Sequence, residues 1–136
     1  GDGVNRASRL EGANKIYGTS IMISEDTYEK VKDEVLVRTI DKIVVKGKTK
    51  PIKVFELIGL KSDEKVIEKY NLFNNYLNGY EHFCNRKFND AKLSFENSLA
   101  LIPGDKLSRI YLDRSDNYIQ NPPPEDWDGV AYLESK

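Results

Sequence analysis

Gly1-Asp2-Gly3-Val4-Asn5-Arg6-Ala7-Ser8-Arg9-Leu10-Glu11-Gly12, continued by Ala13-Asn14-Lys15-Ile16-Tyr17-Gly18, sets a tight glycine turn directly ahead of a helix. Gly1 and Gly3 leave backbone N–H groups uncovered at the positive end of that helix, where phosphate is readily accepted. Asn5 and Arg9 stand four positions apart, so a neutral amide and a permanent cation leave one helix face one turn apart. Gly12 keeps the same face open, while Leu10, Ala13 and Tyr17 point elsewhere and can pack. Taken alone, such a pair is usually a solvated helix face, and only its surroundings can change that reading.

Working outward, Gly18 supplies a helix C-cap and Thr19 to Ile23 read as a short strand. Ser24 is the expected N-cap of a second helix ending near Lys32, with Glu25 and Asp26 in the turn that the helix dipole favours. From Glu34 to Val45, the β-branched residues Val35, Val37, Thr39, Ile40, Ile43, Val44 and Val45 predict a strand interrupted around Asp41. Gly47-Lys48-Thr49-Lys50 is a turn, and Pro51 to Ile58 returns as the second arm of a hairpin. Lys42, Lys46, Lys48, Lys50 and Lys53 cluster there. Lysines with Pro51 are what keeps an exposed sheet edge soluble, which accounts for four of the five.

Beyond the polar linker Gly59 to Lys65, the pattern turns helical. Val66, Tyr70, Phe73, Leu77, Tyr80 and Cys84 form one apolar stripe of a helix starting at Ser62-Asp63-Glu64, and Leu72, Tyr76, Gly79 and Phe83 form another, which implies packing on two sides. A second helix carries Phe88, Ala91, Phe95, Leu99 and Ile102 and stops before Pro103-Gly104-Asp105. A third, about Leu107 to Ile119, caps the pair through Leu107, Ile110, Tyr111 and Tyr118, and a neighbouring chain is expected to cover what stays exposed. Pro122-Pro123-Pro124 ends helix formation, and Trp127 is expected to clip the tail onto the helices.

Composition narrows the function classes. With 39% hydrophobic and 32% charged residues, the chain reads as a globular protein, and no apolar run is long enough to span a bilayer. Gly1 is not a natural start, so a longer parent is expected, in which a membrane anchor could lie upstream; this segment is expected in the cytoplasm. A single cysteine, Cys84, excludes a disulfide framework, suits a reducing compartment and is expected to be a small buried hydrophobe. His82, the only histidine, has no companion for a zinc site. The net charge of −1, split as +2 over residues 1–60 and −3 over residues 61–136, argues against a nucleic-acid partner and places any polyanion affinity in the first half.

The ordered motifs Gly1-Asp2-x-Val4-Asn5-x-Ala7-Ser8-Arg9-Leu10-Glu11-Gly12, Tyr17-Gly18-Thr19, Ile23-Ser24-Glu25, Val45-Lys46-Gly47-Lys48 and Phe55-Glu56-Leu57 resemble the late catalytic segment of class III adenylate and guanylate cyclases, particularly bacterial ones. Gly79, Phe88, Ala91, Phe95 and Pro103 fall at the offsets of a tetratricopeptide repeat, a helical hairpin of about 34 residues. Asn75, Asn78 and His82 depart from its larger apolar positions. Asp126-Trp127-Asp128-Gly129-Val130 resembles the ending that follows such repeats in bacterial cyclases. The expected fold class is α+β. Residues 1–60 form part of a ferredoxin-like cyclase domain with two helices and a β-hairpin, and residues 61–136 an all-α tetratricopeptide-like hairpin plus a third helix.

The resemblance implies a site. Arg9 would neutralise the α-phosphate of ATP or GTP, Asn5 would orient the ribose, and Lys46 would hold the terminal phosphates. Two Mg2+ or Mn2+ ions would be needed, bound by aspartates that precede this segment, so neither Asp2 nor any other acid here is assigned to metal. The purine-reading residues are also outside it, which leaves ATP against GTP open. Family sites form between two catalytic domains, so a homodimer is implied and the segment alone is expected to be inactive. A competing reading makes the chain a noncatalytic oligomerisation or protein-interaction module acting through the helical tail. A third is a phosphate-binding regulatory domain without turnover.

Overall fold

The computed structural model describes residues 21–45 and 50–133. The expected first helix, the beginning of the expected strand at Thr19, Lys46, and Gly47 to Thr49 of the expected turn lie outside the described residues. Strand β1 (Met22–Ser24) leads directly into helix α1 (Glu25–Val31). Ser24 is the N-cap, its hydroxyl accepting from the Thr27 N–H at 3.3 Å, and Glu25 and Asp26 occupy the first turn. The helix is short because Lys32 and the turn after it carry the chain straight into β2 (Val35–Val45).

β2 pairs antiparallel with β3 (Ile52–Leu60), from Val35 opposite Leu60 to Ile43 opposite Ile52. The predicted interruption near Asp41 is a β-bulge: Thr39 faces Phe55 and Asp41 faces Val54, leaving Ile40 as the extra residue. A bulge re-aims side chains, and here Ile40 and Asp41 are both buried. β1 pairs antiparallel with the far side of β3. A strand absent from the sequence reading, β4 (Val130–Leu133), pairs parallel with β2, so the sheet order is β1-β3-β2-β4.

The helical part follows β3. One helix is predicted from Glu64 to Cys84, but the structure breaks it into α2 (Glu64–Asn71) and α3 (Asn74–Cys84). The Leu72 and Phe73 N–H groups bond the carbonyls of Lys69 and Tyr70, a tighter turn than the α-helix. The redirection carries Phe73 into the interior. α4 (Phe88–Leu101) and α5 (Lys106–Gln120) complete an α+β fold.

One core runs from sheet to helices. Met22, Ile40, Ile43 and Val54 join Tyr76, Phe83, Phe88, Ala91, Phe95, Leu107 and Tyr111 in a single buried cluster. The sheet thus supplies part of the cover that the doubly striped helix pattern assigned to a neighbouring chain. Trp127 packs edge-on at 5.5 to 5.7 Å against Phe83, Phe88 and Tyr118. Arg86 holds the proline run beside it, donating to the Pro123 and Pro124 carbonyls at 2.8 and 2.9 Å from a left-handed backbone conformation of φ 63°.

Cys84 corrects the expectation of burial. It is the last residue of α3, beyond the buried face that Phe83 ends, and it is exposed. Partial burial of the thiol itself still pushes its pKa up, opposite to the shift a nucleophile needs.

At Gly79, α3 packs tightly on Phe95 of α4. A Cβ placed there would lie 2.8 Å from Cε1 of Phe95, and that ring is fully buried. Gly79→Ala should destabilise the protein by about 1–3 kcal/mol, read as a lower urea midpoint with an unchanged denaturant slope.

Candidate functional site

Asn5, Arg9 and Lys46 lie outside the described residues. Described instead is the strand pair that leads into Lys46 and the structure packed behind it. Lys46 is the next residue in the chain after β2, whose last residue is Val45. On the arms, Lys42 stands opposite Lys53, and Lys42 and Lys50 are exposed. Like charges on facing residues repel, and a polyanion near the hairpin would relieve that repulsion.

Behind the hairpin is a buried charge that composition alone would not place. Arg38 of β2, with its side chain 4% exposed, bonds Glu56 of β3 through Nε at 2.7 Å and grips both carboxylate oxygens of Asp105 at 2.8 and 2.9 Å. Asp105 is the N-cap of α5. Its Oδ2 also accepts from the Ser108 hydroxyl at 2.6 Å, which is 2.7 Å from the Ser98 hydroxyl of α4. The guanidinium lies 4.0 Å from the Phe73 ring centroid and 4.7 Å from that of Tyr76, so both ring faces add cation–π attraction.

The electrostatics close. Burial works hardest against the Arg38 charge, yet the bonds from Asp105 and the pull of Glu56 outweigh it and hold the pKa above its ordinary value. Burial likewise pushes the Asp105 carboxyl up, but Arg38 and Ser108 together hold it below the usual carboxylate range. Next along β2, the Tyr76 hydroxyl donates to the Thr39 carbonyl at 2.8 Å, and the Tyr111 hydroxyl donates to the Ile40 carbonyl. Burial, the largest influence on both phenols, raises their pKa well above the ordinary value and keeps them as donors. Arg114 of α5 bonds Asp41 at 2.8 Å.

These carboxylates do not suit a divalent metal. Asp105 and Glu56 are bound to Arg38 and Asp41 to Arg114, and among the described residues no group of three or more His, Cys, Asp or Glu is placed to hold an ion. Nor is any described helix long and apolar enough to cross a membrane.

The terminal-differentiation-specific adenylate cyclase of Dictyostelium discoideum is 32% identical over 117 residues, 84% of this chain and 6% of that protein. The chain carries an adenylate cyclase-related region. Adenylate cyclase 1 of Rhizobium meliloti (strain 1021) is 42% identical over 60 residues, 44% of this chain and 9% of the relative. The adenylate cyclase of Anabaena cylindrica is 43% identical over 60 residues, 42% of this chain and 12% of the relative. The chain therefore spans from 6% to 12% of the length of these relatives. No protein-family model and no solved structure matches the chain.

Sequence reasoning about the cyclase-related region missed Arg38, Glu56 and Asp105. The signal was an arginine inside the run Val35-Leu36-Val37-Arg38-Thr39-Ile40, since a charge on an apolar strand needs buried partners.

Asp105→Asn leaves Arg38 short of a carboxylate in the interior, and should cost about 3–5 kcal/mol at neutral pH. Because the folded carboxyl titrates below its unfolded value of about 3.9, its contribution is complete above that pH and fades as pH falls through the lower folded value. Urea unfolding at pH 7 and pH 3 should show the gap between wild type and variant narrowing in acid.

Proposed function

We propose that the chain is the C-terminal part of a class III nucleotide cyclase catalytic domain followed by a tetratricopeptide-like tail. On this reading the parent protein converts a nucleoside triphosphate, ATP before GTP, into the 3′,5′-cyclic nucleotide and pyrophosphate. The observation that carries it is the Dictyostelium adenylate cyclase match over 84% of the chain. Wherever that match begins, it includes the β2–β3 hairpin and α2 to α4. The cyclase motifs around Asn5, Arg9 and Lys46 agree with it, and the names of all three relatives favour ATP.

In the proposed reaction the ribose 3′-oxygen attacks the α-phosphorus, the bond to the bridging oxygen breaks, and pyrophosphate leaves. Negative charge gathers on the α-phosphate oxygens and the leaving group, so positioning and fixed positive charge lower the barrier. Arg9 is the fixed cation for the α-phosphate, and Asn5 orients the ribose without adding charge. Lys46 meets the terminal phosphates as a point charge that needs no bidentate geometry. The two divalent ions of the parent have no ligands proposed in this chain, and a partner catalytic domain completes the pocket, which makes this segment inactive alone.

The noncatalytic reading keeps one supporting observation: Leu93 and Leu101 of α4 are 59% and 58% exposed, as a surface for a protein partner would be. Assays of the full-length parent with ATP and with GTP separate the two. Arg9→Ala should lower kcat by about 10²- to 10³-fold with little change in KM, because its interaction develops in the transition state. Lys46→Ala should act mainly on KM. If wild type forms neither cyclic product, the cyclase reading is rejected and the interaction module stands.

A further inference from the structure

Between the end of α5 at Gln120 and the start of β4 at Val130, the chain runs for nine residues, Asn121 to Gly129, without helix or strand. Asn121, Pro122, Pro124, Glu125, Asp126 and Asp128 of this strap are exposed, and Pro123 is buried. Its fastening is built from Arg86 and Trp127. Arg86, in the turn between α3 and α4, donates to the Pro123 and Pro124 carbonyls, and the Pro124 carbonyl also accepts the Trp127 N–H at 3.0 Å. One carbonyl thus joins the guanidinium to the turn that presents the indole. The Trp127 ring sits among Phe83, Phe88 and Tyr118, and the guanidinium lies 5.7 Å from its centroid.

β4 depends on this fastening. It is four residues long and lies at the edge of the sheet, and among the described residues β2 is its one strand neighbour. A parallel pair cannot be closed by a two-residue turn, and its slanted bonds are slightly weaker than antiparallel ones. So short an edge strand opens readily unless a nearby contact keeps it in place. Gly129, at φ 78° with open space around it, turns the chain from the clip into the strand. Only Asp128 separates Trp127 from that turn, so a seated indole delivers Val130 to Lys42. On its other side β2 is paired with β3, which keeps β2 in place when β4 leaves.

We propose that residues 121–133 are a latched strap that opens as one unit, and that the clip of Arg86 and Trp127 sets how often the β2 edge from Lys42 to Val45 is uncovered. Release of the clip frees β4 and leaves the helices and the β2–β3 pair closed. An uncovered edge presents unpaired N–H and C=O groups to which another strand can add. The clip therefore controls access to a pairing edge that the closed fold hides.

Hydrogen exchange of the full-length protein, resolved to single amides, tests this. Arg86→Gly removes the guanidinium and suits the left-handed backbone at that position, so the fold is kept. Trp127→Leu removes the indole and retains apolar bulk. Lys92→Met is the control, because the salt bridge it breaks, to Asp116, includes no strap residue. Each test variant should speed exchange of the 130–133 amides, and of the β2 amides directed at β4, by about 10- to 100-fold, as expected for losing a hydrogen bond to a charged group. The β2 amides directed at β3 and the amides of α4 should keep wild-type protection, as should every amide in the control. Because guanidinium and indole act through one turn, the double variant should show less than the product of the two single effects.

Unchanged exchange at 130–133 in either test variant overturns the proposal, since β4 then holds without the clip. A rise shared by the β3-directed amides, by α4 or by Lys92→Met overturns it too, by reducing the clip to general stability. Single effects that multiply in the double variant mark two independent contacts and reject the latch.

Discussion

A guanidinium cannot shed its charge to enter a protein interior, so the interior has to be built around it. Arg38 meets this constraint with a carboxylate from β3, a second from the N-cap of α5, and two aromatic faces beside α3 and within it. The partners come from β3, from the cap of α5 and from the start of α3. One strand charge therefore decides which parts of the chain must meet. Removing either carboxylate leaves buried guanidinium N–H groups without their charged acceptor, whereas a purely apolar contact could be repacked. The hydroxyl chain from Asp105 through Ser108 to Ser98 extends the same demand into α4.

This constraint bears on how the adenylate cyclase-related region is joined to the helices. The hairpin and the helical part share a hydrophobic core and a sheet. The boundary expected between residues 60 and 61 falls at the end of β3, with the Arg38 network crossing it. The similarity to the Dictyostelium adenylate cyclase runs along both sides of that point. A tail fastened through buried charges and backbone carbonyls moves with the strand it holds, while a tail joined by a flexible linker would move independently.

Much of the architecture was legible because it is local. The Ser24 cap, the β-branched run of β2, the interruption at Asp41 and the three-helix succession are each written in residues a few positions apart. The break at Leu72 and Phe73 was hidden because the apolar periodicity continues across it, and it is the distant Arg38 that draws Phe73 inward. β4 escaped notice since Val130 to Leu133 is short and its pairing partner lies 88 residues earlier. Of the site, Asn5, Arg9 and Lys46 were legible as motif positions, by residue type and spacing. The support behind the hairpin was not, because Arg38, Asp105 and the two tyrosine hydroxyls acquire meaning only once residues 37 to 71 positions apart are brought together.

The parallel pairing of β4 with β2 also imposes an order on synthesis. β2 leaves the ribosome long before β4 exists, so one edge of the hairpin stays open while four helices are made. Open edges recruit other chains. Lys42, Lys50 and Lys53 are already on the hairpin during that interval, and their charge discourages a second nascent chain from pairing where β4 will finally lie.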